Sequence, residues 1–322
     1  MFRCRRLAVA CGFLLASLSV AKPVIAQTET KGPQSFAYVL QADARWKKQS
    51  EAVESLASCA RDWIVIDAAY SGETDSRWTR TDLDTMRSGK SGRRVLAYLS
   101  IGEAEDYRHY WKKSWDADRD GKPDVGAPDF LMPENPDWAG NYRVRYWHNN
   151  WQALMLAEVD RIAEQGFDGV YLDIVDAFET FEFDGKDWID DRPNEETGNT
   201  FRTDMIEWVA KIGDRLRKTD SRALLVPQNG SQLLANESFR NLVSGIGMED
   251  VFTNGNRMQR DAESKPRLKH IEPLLKTGKP VLLIEYAKKQ ELRKEVMEKA
   301  HTAHLIWLIT DRQLKTLGES GN

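Results

Sequence analysis

Short apolar runs alternate with amphipathic stretches along most of this chain. Phe36–Leu40, Trp63–Ala68, Val95–Ile101, Gly169–Val175, Ala223–Pro227, Gly245–Val251, Val281–Tyr286 and His304–Ile309 are dense in Val, Ile, Leu and Tyr. They lack strict apolar–polar alternation, which predicts parallel strands covered on both faces. Between them the apolar spacing changes to about 3.6 residues. In 151–165 the stripe is Trp151, Leu154, Met155, Val159 and Ile162, and Gly166 follows as a natural helix stop. In 201–217 it is Phe201, Met205, Trp208, Val209, Ile212 and Leu216. In 267–277 it is Leu268, Ile271, Leu274 and Leu275, with Pro273 expected to kink the helix. Strand and helix repeated about eight times predict an α/β fold, specifically a (β/α)8 TIM-type barrel. An open doubly wound sheet is the rival, weakened because no Gly-rich phosphate loop follows the first strand.

Two long interruptions, residues 104–150 and 177–199, follow the third and fourth predicted strands. On a barrel these βα loops lie on the C-terminal face, where active sites are built. The final residues, 311–322, are too few for a full last helix and a tail. At the other end, Arg3, Arg5 and Arg6 precede an apolar run from Leu7 to Val20 and a small-residue ending at Ala26. That order predicts a signal peptide over residues 1–26, since the run is shorter than the roughly 20 residues that span a bilayer. The expected organisation is therefore signal 1–26, linker 27–35 and one domain over 36–322, in a secreted or periplasmic protein with no membrane span after cleavage. Cys59 is then the single mature cysteine, so no intramolecular disulfide is expected. The net charge of −4 is spread along the chain, and without a basic stripe nucleic acid is not an expected partner. The sequence leaves the oligomeric state open.

Functional groups on such a fold lie at or just past strand ends. That rule selects Gln41 after the first strand, Asp67 and Tyr70 after the second, and Glu103 after the third. The fourth strand supplies Tyr171, Asp173 and Asp176; the fifth, Gln228 and Asn229; the sixth, Glu249; the seventh, Glu285 and Tyr286. So many acids and amides on one rim suit a glycosidase, which needs one carboxyl protonated and a second ionised. Asp173 alternates with Leu172 and Ile174, which points it toward the mouth, and Glu249 holds the matching place two strands round. Mutual repulsion favours a protonated Glu249 beside an ionised Asp173. A strand-end acid can equally cap the following helix. The five histidines of the mature chain show no paired ligand spacing, and no Gly-x-Ser-x-Gly is present, so zinc and serine chemistry are not expected. No cofactor is expected for catalysis. Asp116, Asp118, Asp120, Lys122 and Asp124, with Gly121 at the sixth place, match a calcium loop through its ninth position. Ala127 stands where the twelfth-position carboxylate belongs, leaving Asp129 or Glu134 as substitutes for a structural ion. Trp111, Trp115, Trp138, Tyr142, Tyr146, Trp147 and Trp188 crowd the two insertions. Aromatic rings pack on the C–H faces of sugars, so a polysaccharide cleft is expected, with Trp147 among its contacts.

Three stretches carry a family resemblance: Ala97-Tyr-Leu-Ser-Ile-Gly-Glu-Ala-Glu105, Trp138-Ala-Gly-Asn-Tyr-Arg-Val-Arg-Tyr-Trp147 and Gly166-Phe-Asp-Gly-Val-Tyr-Leu-Asp-Ile-Val-Asp176. Together they resemble glycoside hydrolase family 114, the endo-α-1,4-polygalactosaminidase family with its bacterial and archaeal relatives. The resemblance implies a TIM-type barrel that hydrolyses α-linked amino-sugar polymers. It implies Asp173 as nucleophile and Glu249 as acid/base, with retention of configuration; Asp176, in the same motif, is the alternative nucleophile. Gly-Met-Glu-Asp-Val-Phe at the sixth strand departs from the Glu-Cys ending of fungal and actinobacterial members, and Gln228-Asn229 stands where some members carry a lysine. A sugar-binding barrel without competent acid geometry is the alternative function.

Overall fold

A computed structural model describes residues 32–72 and 76–322; the expected signal peptide lies outside the described residues. Gly32–Asn322 forms one compact unit. All eight predicted strands form: β1 Phe36–Val39, β2 Trp63–Asp67, β3 Arg94–Ser100, β4 Gly169–Asp173, β5 Leu224–Pro227, β6 Ile246–Glu249, β7 Val281–Glu285 and β8 Ile306–Ile309. Every ladder between sequential neighbours from β1 to β5 is parallel, as are those joining β6, β7 and β8. One parallel bridge, Gln228 to Gly247, links β5 to β6. The result is an α/β fold with a central parallel sheet.

The continuous apolar runs have a direct structural cause. On β2, Ile64 and Ile66 face the layer that packs on the helices, whereas Trp63 and Val65 face a second layer. That second layer joins Phe36, Leu96 and Tyr171 of the first sheet to Leu282, Ile284 and Leu308 of the other. Both faces leave water, so polar alternation is absent. The helix Phe201–Arg217 has the predicted bounds, with Thr200 capping it by accepting from the Thr203 N–H. The helix Asn149–Gln165 stops at Gly166, whose φ of 91° is the left-handed C-cap conformation glycine tolerates. The third helix begins six residues earlier than its stripe suggested, at Asp261, and carries Pro266 as well as Pro273.

Two segments differ from the sequence expectation. Residues 104–150 are not simply an extended loop: Glu103–Glu105, Leu131–Glu134 and Asn141–Val144 form a three-stranded antiparallel sheet. These strands are too short for periodicity to announce them. The chain end, too short for a full last helix, carries a strand. Glu319–Gly321 runs antiparallel to β8, while Ser320 Oγ accepts from Phe36 N at 2.9 Å and Leu314 O accepts from Leu40 N at 2.9 Å. No ladder joins β1 directly to β8 among the described residues; the C-terminal segment bonds to both.

Candidate active site

The strands deliver their ends to one cleft of about 540 Å³, lined by side chains from 38–41, 98–107, 135–141, 173–188, 228–249 and 286–315. At its floor Asp173 and Glu249 converge on one amide. Gln228 Nε2 donates to Asp173 Oδ1 at 3.0 Å and to Glu249 Oε2 at 2.9 Å. Those two carboxylate oxygens therefore cannot be farther apart than the two contacts laid end to end. Asp173 Oδ1 also accepts from the Ile174 N–H at 2.8 Å, and Oδ2 accepts from Tyr98 Oη at 2.9 Å. Tyr286 Oη donates to Glu249 Oε1, and Asn229 Oδ1 accepts from the Glu249 N–H at 3.1 Å.

The backbone that aims these groups is bent sharply beyond the strands. Gln41, Ile174, Asn229 and Asp250 all have φ between 50° and 59°. For a β-branched residue such as Ile174 that conformation costs on the order of 1–3 kcal/mol. It turns the Ile174 N–H back onto the carboxylate of Asp173. Next to it, β6 approaches the floor through Gly247, where a Cβ would lie 1.7 Å from Tyr171 Oη. No other residue leaves room for the tyrosine there.

Electrostatics separates the acids. Burial is the largest influence on Asp173 and raises its pKa to about 6, against the hydrogen bonds from Ile174, Tyr98 and Gln228. Burial, then the charge of Asp173, raise Glu249 to about 7. Asp176 also lines the cleft; burial and the charges of Glu179 and Asp173 push it to about 8. Glu103 lines the same wall, held by Asn135 Nδ2 at 2.8 Å, and burial raises it to about 7.

Of the substrate contacts expected from sequence, Gln41, Glu103, Asn229 and Tyr286 line the cleft. Five others lie elsewhere. Asp67 is buried and committed to Arg108 at 2.8 Å and to the Gln41 N–H at 2.7 Å. Tyr70 donates to Trp46 O at 2.5 Å and stands edge-on to Trp78. Trp147 packs against Tyr146, Phe181 and Phe201 behind the cleft. Tyr171 lies beneath the floor, its ring tilted against that of Tyr38. Glu285 accepts from the Phe252 N–H at 2.6 Å and from Thr253 N–H and Oγ1 at 3.1 and 2.5 Å, bracing the loop after β6. For Asp67, Tyr70 and Glu285 the place at or just past a strand end is right, but neighbouring polar groups claim the side chain. The strand-end rule also passed over Tyr98 and Glu105; Tyr98 points inward in mid-strand, where only the period-two pattern of β3 signals its direction.

Trp138 and Trp188, one from each insertion, stand 50% and 65% exposed on the cleft wall. The remaining aromatics of the first insertion, including Trp111, Trp115 and Tyr142, form its small core. In that insertion Asp116, Asp118 and Asp120 bring ligand-capable oxygens within 4.8 Å of one another. Asp124 instead accepts from the Ala117 N–H at 2.6 Å, and Lys122 Nζ pairs with Asp120 at 3.2 Å. Glu134 approaches the same turn, its Oε2 lying 3.1 Å from where a Cβ on Gly121 would sit. No described helix is long and apolar enough to cross a membrane.

Comparison with known proteins gives concordant results. The family model of glycoside-hydrolase family GH114 matches residues 20–321. An uncharacterized protein of Deinococcus radiodurans is 37% identical over 72% of this chain and 68% of its own length. One from Methanocaldococcus jannaschii is 34% identical over 75% of this chain and 65% of its own, so the match spans just under two thirds of that longer relative. Among solved structures, the glycoside hydrolase domain of PelA from Pseudomonas aeruginosa superposes with a TM-score of 0.63 at 18% identity, over 90% of this chain and 99% of that one. Ega3 of Aspergillus fumigatus, solved in complex with galactosamine, gives 0.61 at 17% identity, over 89% and 94%. At those identities the two structures speak to the fold.

Proposed function

Because this chain belongs to glycoside hydrolase family GH114, we propose that it cleaves an α-linked amino-sugar polysaccharide of the galactosamine type, with Asp173 as nucleophile and Glu249 as acid/base. The observation that carries this reading is the shared amide: one Gln228 nitrogen holds an oxygen of each acid, at 3.0 and 2.9 Å. An amide shared by the nearest oxygens of the two acids is compatible with the roughly 5–5.5 Å carboxyl separation of retaining glycosidases. Asp173, ionised above pH 6, attacks the anomeric carbon while Glu249 gives its proton to the departing glycosidic oxygen. Water then attacks the glycosyl–enzyme ester, its proton returns to Glu249, and Asp173 leaves as carboxylate. Asp176 is the weaker nucleophile in this scheme, since a carboxyl titrating near pH 8 is mostly protonated at neutrality.

The polymer assignment rests on the cleft wall. Exposed Trp138 and Trp188 offer flat apolar faces to sugar rings, and the acids give a negative cleft suited to a cationic, partly deacetylated chain. We read the eight strands as a closed barrel completed through the C-terminal strand, and residues 1–26 as an export signal. The test is to incubate the protein with a panel of amino-sugar polymers and follow reducing ends, with the anomer of the first product read by proton NMR. Release from galactosamine polymer with the α-anomer first is expected. No release from any polymer, or the β-anomer first, overturns the reading.

A further inference from the structure

From the cleft wall at Tyr98, Glu105 and Tyr107 back to Arg108 and Asp67 runs a chain of charged and phenolic groups that the reaction itself does not use. Asp67 at the end of β2 holds Arg108 at 2.8 Å, and Arg108 Nε donates to Glu105 Oε2 at 2.7 Å. Tyr107 Oη donates to the other oxygen, Glu105 Oε1. Tyr98 Oη lies between two carboxylates, 2.9 Å from Asp173 Oδ2 and 3.4 Å from Glu105 Oε1. A phenol has one proton to donate. Burial raises the pKa of Tyr98 well above its ordinary value, and the charges of Asp173 and Glu105 add to this, so that proton stays on the phenol. The shorter contact shows which acceptor receives it. Glu105, buried and already supplied by Arg108 and Tyr107, leaves the Tyr98 proton to Asp173.

We infer that Arg108, clamped between Asp67 and Glu105, is a positioning residue that commits Tyr98 to Asp173 and so keeps the nucleophile ionised. The inference rests on the reading of Asp173 as the group that must carry charge. Other groups press on Asp173 from each neighbouring element. Glu249 on β6, Glu103 and Glu105 after β3, and Asp176 beyond β4 all oppose its charge when ionised. The phenols of Tyr38 on β1 and Tyr171 on β4 flank it from below. Among the described residues only the Ile174 N–H, Gln228 and Tyr98 donate to it directly. Losing one of three donors in so acidic a pocket has a visible effect.

The experiment titrates Asp173 without substrate. The protein is labelled with aspartate carrying ¹³C at the carboxyl, and the Asp173 resonance, assigned by its loss in Asp173→Asn, is followed from pH 4 to pH 9. Tyr98→Phe is expected to raise its midpoint by about one pH unit, because a donor to the charged form is lost. Arg108→Met should raise it too, since Glu105 then competes for the phenol proton with an uncompensated charge. Glu105→Gln should lower it, and adding Glu105→Gln to Arg108→Met should bring it back down. Melting curves identify any variant that does not fold; Tyr98→Phe and Glu105→Gln are near-isosteric and test the commitment of Tyr98 to Asp173, while an unmoved midpoint in folded Arg108→Met, or in Arg108→Gln should the Met variant not fold, overturns the role of Arg108. An unmoved midpoint in folded Tyr98→Phe, or the same direction of shift in both isosteric variants, overturns the inference. Because no polymer enters this measurement, a failed substrate assignment leaves its outcome untouched.

Discussion

Glu249 and Glu285 end adjacent strands, and burial drives the pKa of each to about 7. Their circumstances otherwise differ. Glu285 has no exposed surface, and its oxygens take two backbone N–H groups and a threonine hydroxyl from one loop. Glu249 opens onto the cleft, takes its hydrogen bonds from the side chains of Gln228 and Tyr286, and shares Gln228 with a second acid. A perturbed pKa therefore does not by itself mark a working acid. What separates the two is the partner: backbone donors fix a loop, whereas side-chain donors facing a cavity leave a carboxyl free to exchange a proton.

The largest effect that probes this contrast is on turnover. Asp173→Asn and Glu249→Gln should each lower kcat by about 10²–10⁴-fold or more, measured as reducing ends released. Their melting temperatures should not fall, since each removes a charge that burial disfavours. Activity retained in both variants would erase the distinction. Glu285→Leu should do the opposite. Leaving the Phe252 and Thr253 donors buried without an acceptor should cost about 2–4 kcal/mol in denaturant unfolding. A Glu285→Leu protein as stable as the parent would show that the loop after β6 needs no brace.

A smaller effect is expected from pH. In the proposed mechanism Asp173 works ionised and Glu249 protonated, so kcat/KM should fall below about pH 6 and above about pH 7. Stability should run differently. Glu103, Asp173, Asp176, Glu249 and Glu285 all titrate higher in the folded protein than their ordinary values. The folded state then binds more protons at these five groups between their unfolded and folded pKa values, so their contribution to stability is fully present below about pH 4 and is lost as pH rises toward 8. A melting temperature that climbs between pH 5.5 and pH 8 would contradict this. The smallest effect concerns the first insertion. If its Asp116, Asp118 and Asp120 turn holds calcium, excess chelator should lower the melting temperature by a few degrees and calcium should restore it. Identical melts with and without chelator would leave the turn held by its own hydrogen bonds.

The eight strands and the Asn149–Gln165 and Phe201–Arg217 helices were legible because burial on both faces writes itself into composition and spacing. The Asp173 and Glu249 pairing was legible for a related reason, since strand ends of a parallel sheet share one rim. The sheet inside residues 104–150 was not, because strands of three or four residues carry too few alternations to stand out. Nor could sequence tell Glu249 from Glu285. Both are acids ending apolar runs, and nothing local records that Phe252 and Thr253 turn their N–H groups toward one of them.

By itself, then, the sequence determined the repeating strand–helix order and the rim on which acids gather, since these follow from short-range periodicity and residue type, while the family came from the resemblance of the 97–105, 138–147 and 166–176 stretches. Only the tertiary structure decided which rim acids face the cleft. It withdrew Asp67, Glu285, Tyr70, Tyr171 and Trp147 from the cleft lining, and joined Asp173 to Glu249 through Gln228. The physical reason is that a carboxylate's behaviour is set within about 3 Å by the donors around it. Those donors arrive from residues tens of positions away, Gln228 being 55 residues from Asp173 and 21 from Glu249.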